Sequence, residues 1–571
     1  MDNPIEDYMQ DQERRRQEFL DLILSSRSPR KLIVAGPGTG KTFTFGQLFR
    51  SLPEGSKLAL TFIRKLVFDM DQEFGTIAEA STFHRFCKRL LHERFGSIEL
   101  TPYLPKIIRE DAEAINRNYP SFEASFQSLR EGSAEMVYYL GRGNYYRAVS
   151  FDDSVYKVYR AVLEGTLELP RYSQIVIDEY QDFNILEVEF INQLQDRGNI
   201  LIVGDDDQAI YIQRNSSPEY LRDKYRSGRY KTFTLPYCSR CPRVVVEATS
   251  SFIRQASARN RLGSRITKPF IPYLPGKERI NSKYPRIIRG VTPNIRCLST
   301  FILQAIEHIP VEDISDSCHD GYPTALVIGQ KQYLNPLYKF LKRYYPNISY
   351  SSSEQFDYYL ENGYDILLAN PESNLGWRII AGVLLDKRTL KPLLRDSHNN
   401  GYFSSLLPIK FVRDHQKIIE IIRNRRFGKR NLKTIGRVLG EFTTSLISHY
   451  SPKAIETIAI DSRIPSILLS SFEGCKGLSA GHVFVVGLNE GVFPQVNDSG
   501  SVDECEFRKF IVAMTRTKKL LYLLSNWVDY DRKKGIYRQA RILNWISNEY
   551  FINLGFMRIN EITERIESIY R

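Results

Sequence analysis

The stretch that decides the fold is Ala35-Gly36-Pro37-Gly38-Thr39-Gly40-Lys41-Thr42. It follows the apolar run Leu32-Ile33-Val34 and opens a segment of helical pattern, which is the strand–loop–helix context a phosphate loop requires. Glycines let backbone N–H groups curl around phosphate oxygens, and the positive end of the following helix adds attraction. Lys41 can reach the β- and γ-phosphates, and the Thr42 hydroxyl can ligate Mg²⁺. Ala35 stands where the strict pattern has its first glycine. A glycine-rich turn that binds nothing is the bland alternative, and the strand, the Gly-Lys-Thr and the helix together weigh against it.

Such a loop needs an acidic partner at a neighbouring strand end. Ile175-Val176-Ile177-Asp178-Glu179-Tyr180-Gln181-Asp182 supplies it. Asp178 suits Mg²⁺, directly or through water, and Glu179 can orient and deprotonate an attacking water. Two acids at a strand end are common in isolation; paired with the upstream loop they point to a nucleoside triphosphate site.

Outward from these motifs, short apolar runs recur, each followed by a turn and a longer mixed segment. They are Lys31–Ala35, Lys57–Thr61, Gln174–Asp178, Asn199–Val203 and Lys231–Leu235, then Thr324–Ile328, Asp365–Leu368, Ser466–Ser470, Val483–Val486 and Leu520–Leu524. Strands alternating with helical stretches predict parallel α/β sheets, and two sets predict two domains. Two helical segments interrupt the alternation. The expected division is residues 1–85 with 170–235 for the first α/β domain and 86–169 for its helical insertion. The second α/β domain takes 236–381 with 456–571, interrupted by a short basic helical insertion at 382–455.

Taken in order, these motifs and several others resemble the UvrD/Rep-type superfamily 1A DNA helicases. Asp178–Asp182 resembles that family's Walker B motif. Gly204-Asp205-Asp206-Asp207-Gln208-Ala209-Ile210-Tyr211 resembles its third motif, whose glutamine, here Gln208, senses the γ-phosphate. Leu60-Thr61-Phe62 and Ser81-Thr82-Phe83-His84 resemble the two motifs that touch single-stranded DNA. Leu235-Pro236-Tyr237-Cys238-Ser239-Arg240 and Val512-Ala513-Met514-Thr515-Arg516 resemble the motifs that bring arginines to the γ-phosphate. Cys475-Lys476-Gly477-Leu478 resembles the fifth motif. Each is short; their order along nearly the whole chain carries the resemblance.

The resemblance implies two RecA-like P-loop motor domains, each interrupted by a mainly helical insertion. ATP with Mg²⁺ would bind between them. Gln17, Gly36, Pro37, Gly38, Thr39, Gly40, Lys41, Thr42, Phe43 and Asp178 would line one wall, and Arg240 and Arg516 the other. Glu179, Lys41, Gln208 and the two arginines would be catalytic, and Thr42 and Asp178 would hold the metal. Phe62, Thr82, His84 and Tyr211 would meet DNA. The implied activity is ATP-dependent 3′–5′ movement on single-stranded DNA with duplex unwinding at single-/double-strand junctions, with room for an accessory protein. A nucleotide-switched subunit of a larger DNA-processing complex is the alternative.

The sequence departs from the family at several positions. Glu473 stands where a histidine is usual, Ser479 where a glutamate is usual, and Gln213 where an aromatic platform is usual. Ser239 replaces the tyrosine that stacks on adenine, and Phe43 or Tyr237 can supply that face instead. Gln17 has better spacing than Gln12 for reading the base.

Composition sets outer limits. The chain has 571 residues, too many for one core. Its net charge of +13 favours a polyanionic partner. No apolar run approaches the roughly 20 residues needed to span a bilayer, and no basic-then-apolar leader opens the sequence, so no membrane association and a cytoplasmic site are expected. The seven cysteines show no disulfide framework. Cys238-Ser239-Arg240-Cys241, with Cys297 and Cys318-His319 downstream, matches no standard zinc spacing, and free cysteines beside the nucleotide cleft are expected. Arg14-Arg15-Arg16 reads as a solvated helix face. The basic run Arg423, Arg425, Arg426, Lys429, Arg430 and Lys433 is a candidate for phosphate-backbone contact.

Overall fold

A computed structural model of the chain describes residues 4–62, 64–96, 98–351, 357–397, 401–450, 463–497, 500–526 and 539–570. Two parallel sheets organise it. The first has strands β1 (Arg30–Ala35), β2 (Lys57–Thr61), β3 (Glu79–Thr82), β4 (Gln174–Ile177), β5 (Asn199–Gly204) and β6 (Lys231–Leu235). Their spatial order is β3-β2-β4-β5-β1-β6, every neighbouring pair parallel. The central strands are buried on both faces, which is why they read as unbroken apolar runs such as Leu32–Ala35 and Ile200–Val203. Register Ile175↔Ile200 and Leu32↔Ile202 puts the carboxyl ends of β1, β4 and β5 side by side. In open α/β sheets that edge is where ligands bind.

The second sheet has β7 (Ile287–Thr292), β8 (Ala325–Ile328), β9 (Ser349–Ser351), β10 (Ile467–Ser470), β11 (Ala480–Val485), β12 (Thr517–Asn526) and β13 (Phe551–Phe556), in the order β9-β10-β8-β11-β12-β7-β13. All its pairs are parallel. The expectation of two RecA-like α/β domains holds.

One expected strand is wrong. Asp365–Leu368 lies inside the helix Leu360–Ala369, whose buried residues Leu360, Gly363, Tyr364 and Leu367 recur at helical spacing. That helix crosses the helix Asn374–Leu384 at two glycines: a Cβ on Gly363 would come 3.1 Å from Gly376 O, and one on Gly376 would come 3.2 Å from Gly363 O. The edge of the second sheet is formed by β9, Ser349-Tyr350-Ser351, which carries no apolar run.

The helices from Leu360 to Tyr450 form their own core around Trp377, Ile380, Phe403 and Ile418, so the expected limit at residue 382 falls inside Asn374–Leu384; residues 451–455 lie outside the described ones. The two helical regions are joined by buried charge. Arg378, fully buried, donates to Asp111 at 3.0 Å and Glu110 at 2.8 Å. Asp111 also accepts from Arg142 at 2.6 Å and from the Tyr146 hydroxyl at 2.6 Å, and Arg142 reaches Ser397 O at 3.2 Å. The tyrosines of the first insertion serve packing: Tyr139 and Tyr146 are buried in its core.

Candidate nucleotide site and strand groove

β1 ends at Ala35 and the loop turns into the helix Lys41–Ser51, with Thr39 Oγ1 donating to Gly36 O at 2.9 Å. Gly38 (φ 69°) and Gly40 (φ 87°) occupy the left-handed region. Gly38 is also required by a close approach: a Cβ there would sit 2.5 Å from Arg240 Cβ. The second-domain arginine turn is thus already packed on the loop, and Ser239 N donates to Gly38 O at 2.9 Å.

Lys41 Nζ lies 3.3 Å from Glu179 Oε1 at the end of β4. Burial opposes charge on Lys41, but Glu179, Asp178 and Asp205 outweigh it and raise its pKa. Burial, and then the Glu179 charge, push the Asp178 carboxyl up to about 7. Burial would also raise Glu179, yet Lys41 and Lys476 hold it below the usual carboxylate range. Glu179 has φ 52°, a left-handed conformation that side-chain-bearing residues avoid and that clusters at functional sites. Its Oε2 accepts from Gln181 Nε2 at 2.5 Å, and Gln181 Oε1 accepts from Asp205 N at 2.8 Å, tying β4 to β5. A glycine cradle ending in an ammonium, with a buried carboxylate pair and the Thr42 hydroxyl nearby, is a donor set that fits a triphosphate and a hard divalent cation.

The third motif meets the sixth directly. Gln208 Nε2 donates to Asp205 Oδ2 at 2.7 Å, and Gln208 Oε1 accepts from Arg516 Nη2 at 3.2 Å. Arg516 is buried; burial and then Arg240 lower its pKa to about 10. Arg240 Nη1 lies 3.4 Å from Thr515 O. Arg516 thus meets Gln208, and Arg240 meets the backbone of the residue just before Arg516.

Lys476 is the residue whose role sequence reasoning missed. It crosses from the second domain to Asp182 (2.5 Å), Glu179 (3.5 Å) and Gln208 O (2.6 Å). Likewise Lys268 enters the three aspartates of the third motif, 2.8 Å from Asp205, 2.8 Å from Asp206 and 2.7 Å from Asp207. No spacing rule in the sequence singles out Lys268.

A cleft of about 380 Å³ beside the loop is lined by Arg16, Gln17, Thr39, Phe43, Tyr237 and Tyr273. Phe43 and Tyr237, expected to offer a base-stacking face, are both there. Tyr273 and Arg16 were not foreseen: the Arg16 guanidinium sits 4.7 Å from the Tyr273 ring and 6.0 Å from Phe43. Arg14 and Arg15 pair with Asp11, and Arg16 is the arginine of the run that lines the cleft. Gln17 lines it too, whereas Gln12 is buried with its amide spent on Pro272 O (3.1 Å) and Leu274 N (2.9 Å).

Of the residues expected at DNA, Phe62 is half-buried with the Arg214 guanidinium 3.9 Å from its ring centroid. Thr82 caps the helix Phe83–Phe95, accepting from Arg85 N. His84 is buried, 3.8 Å from Glu187 Oε1 and packed at a tilt against Phe151, ring centroids 4.8 Å apart. Tyr211 is half-buried, its hydroxyl donating to Glu473 O at 3.1 Å. A groove of about 680 Å³ runs from Tyr211 and Gln213 to Lys331, Glu473 and Lys509 of the second domain. Glu473 there is paired with Lys509 at 2.7 Å. The basic run 423–433 spans the end of the helix Ile409–Arg423 and the start of Lys429–Leu439. Among the described residues the groups that could gather round a metal are His84 with Asp152 and Glu187, and Asp205 with Asp206 and Asp207; neither includes a cysteine. No described helix is long and apolar enough to cross a membrane.

Two parallel sheets, with a phosphate loop on the first and Arg516 reaching that domain's Gln208 from the second, define a P-loop nucleoside triphosphatase with paired RecA-like domains. Residues 22–214 match the family model described as an AAA domain, and residues 441–527 match the UvrD-like helicase C-terminal domain. A probable DNA helicase II homolog of Mycoplasma genitalium is 22% identical over 632 residues, covering 94% of this chain and 88% of that protein. DNA helicase II of Haemophilus influenzae is 25% identical over 288 residues, covering 41% of this chain and 39% of its own length. ATP-dependent DNA helicase UvrD1 of Mycobacterium tuberculosis is 24% identical over 291 residues, 40% of this chain and 38% of that protein. The chain belongs to the UvrD-like superfamily 1 helicases.

Proposed function

We propose that this chain is a DNA-stimulated, Mg²⁺-dependent ATPase that moves 3′–5′ along single-stranded DNA and opens duplex at junctions. The observation that carries the reading is the joint reach of the two domains to one point: Lys41 and Glu179 from the first sheet, Arg516 through Gln208 from the second. With ATP bound, the γ-phosphate takes the place of Glu179 as the partner of Lys41. Glu179, released, holds the attacking water and takes its proton. Arg516 and Arg240 neutralise charge on the transferred group, so hydrolysis is tied to cleft closure. Thr42 and Asp178 would hold Mg²⁺, which would supply neutralisation of phosphate charge. The base lies among Phe43, Tyr237, Tyr273 and Arg16 with Gln17 at its edge.

The strand runs past Phe62 and Tyr211 along the groove to Lys331 and Lys509, so both domains hold it and their relative motion advances it. Gln213 offers no aromatic face, which favours a weak stepping grip over a tight one. The motor domains on this reading are residues 1–85 with 170–235, and 236 to about 357 with 456–571. The insertions are 86–169 and the helices from Leu360. Titration of the ATPase rate with single-stranded DNA, single-stranded RNA and blunt duplex at one low salt concentration tests the reading. Strand displacement on tailed duplexes of both polarities follows. The rate should rise most with single-stranded DNA, and a flat response to all three would remove the motor reading in favour of a nucleotide-switched subunit.

A further inference from the structure

The turn that carries Arg240 has a cysteine on each side of it, and motor function alone does not account for them. Cys238 and Cys241 are both buried and both free thiols. Cys238 ends a two-residue strand, Tyr237–Cys238, parallel to Ile271–Pro272. Cys241-Pro242 leads straight into the sixteen-residue helix Arg243–Ala258. The Cys241 thiol and the amides of Arg240 and Cys241 all lie within hydrogen-bonding reach of the Cys238 sulfur. Burial opposes ionisation of Cys238, but these donors and the Arg240 charge bring its pKa down to about 7. Burial instead pushes Cys475 up to about 12 and Cys505 up to about 11. Lowered thiol pKa in a Cys-X-X-Cys turn before a helix marks a reactive sulfur.

The surroundings say what its chemistry would change. A Cβ on Gly38 would lie 3.1 Å from Cys238 Sγ, so this sulfur abuts the phosphate loop. Cys241 Sγ donates to Thr515 O at 3.5 Å, the same oxygen that accepts from Arg240 Nη1 at 3.4 Å. The dithiol thus touches the loop on one side and the sixth motif on the other, with Arg240 between its two sulfurs.

We propose that Cys238 and Cys241 form a reversible redox site, oxidised by hydroperoxides to a disulfide that disables nucleotide hydrolysis. The Cys238 thiolate attacks one oxygen of hydrogen peroxide; the S–O bond forms, the O–O bond breaks, and the departing hydroxide takes a proton to leave as water. The Cys241 thiol then attacks the Cys238 sulfenic acid. The S–S bond forms, the S–O bond breaks, and hydroxide leaves as water with the Cys241 proton. The two thiols have lost two electrons to one peroxide, giving two waters. The S–S bond removes both the thiol donation to Thr515 O and the turn geometry that aims Arg240. Formation of the disulfide stands independently of the nucleotide-site reading; its effect on turnover rests on that reading.

The test uses the full chain, treated with graded hydrogen peroxide, quenched with N-ethylmaleimide and digested with trypsin. Cleavage after Arg240 leaves the two cysteines on separate peptides, so a disulfide appears as a linked pair. The linked pair should accumulate, ATPase activity should fall by about tenfold or more as Arg240 loses its alignment, and dithiothreitol should restore both. Cys238→Ser should turn over ATP in reducing buffer and lose the peroxide response. Absence of the linked pair at doses that fully oxidise the exposed Cys318 overturns the proposal. A linked pair with unchanged turnover, or a Cys238→Ser protein as peroxide-sensitive as the parent, overturns the regulatory part. A chain without ATPase in reducing buffer refutes the nucleotide-site reading instead, and the linked pair then decides the redox site alone.

Discussion

Replacing Lys476 with methionine keeps much of the side chain's volume and removes its charge from between the two motor domains. Its ammonium lies 2.5 Å from Asp182 and 3.5 Å from Glu179, all three buried. At an effective dielectric constant of about 20, the Asp182 contact alone is worth about 7 kcal/mol of gross attraction, most of it consumed by desolvation. What the substitution exposes is the orphaned carboxylate, so Lys476→Met should destabilise the chain by about 3–5 kcal/mol. Lys476→Met with Asp182→Asn leaves no orphan there and should recover more than half of that loss. Burial already pushes Asp182 up to about 6, with Lys476 opposing the rise; without Lys476 it goes higher. An ionised orphan destabilises and a protonated one does not, so the deficit of the single variant should be large at about pH 8 and shrink at about pH 5. Urea unfolding of the parent, the single and the double variants at both pH values makes the measurement. A single variant no less stable than the double one, or a deficit independent of pH, would refute the buried-charge reasoning.

Glu179→Gln should keep ATP bound while slowing hydrolysis by about 10²–10⁴-fold, read by filter-bound nucleotide against released phosphate, because the base is lost and the metal carboxylate stays. Arg516→Ala should lower turnover by about 10³-fold or more with little change in ATP affinity, and a comparable loss in both would place the guanidinium away from the γ-phosphate. Phe62→Ala should weaken single-strand binding by about 1–3 kcal/mol and blunt DNA stimulation while sparing the basal ATPase rate. Glu187, held by burial at about 7 against an ordinary 4.5, contributes stability that is complete below the ordinary value and lost as pH rises through about 7. Glu187→Gln should therefore gain on the parent across that window, by up to about 3 kcal/mol at alkaline pH, and parallel thermal midpoints across it would contradict the assignment.

The phosphate loop, the paired carboxylates and both cleft arginines were legible because backbone and charge requirements there fix residue type at fixed spacing. The central strands were legible because burial on both faces leaves unbroken apolar runs. Legibility failed where partners arrive from elsewhere in the chain. Arg16 and Tyr273 meet across more than 250 residues of sequence, and Lys268 reaches the third motif only after the intervening helix has turned back. The apolar segment around Asp365 misled because a helix buried on a glycine crossing carries the same run as a strand. Conversely, the edge strand Ser349–Ser351 gives no signal, since its pairing is through backbone groups alone.

The charge cluster that joins the two helical regions has a consequence for biosynthesis. Asp111 and Arg142 leave the ribosome early, yet Arg378 follows Asp111 by 267 residues. At elongation rates of about 5–20 residues per second, that is a delay on the order of tens of seconds. For that interval the acid at the junction has only one of its two guanidinium partners, and the surface awaiting Leu375 and Ile379 is uncovered. The nascent N-terminal half therefore carries an incompletely paired acid and an uncovered apolar surface until the second helical region is made. Separating it from the second helical region by truncation would make that transient exposure permanent.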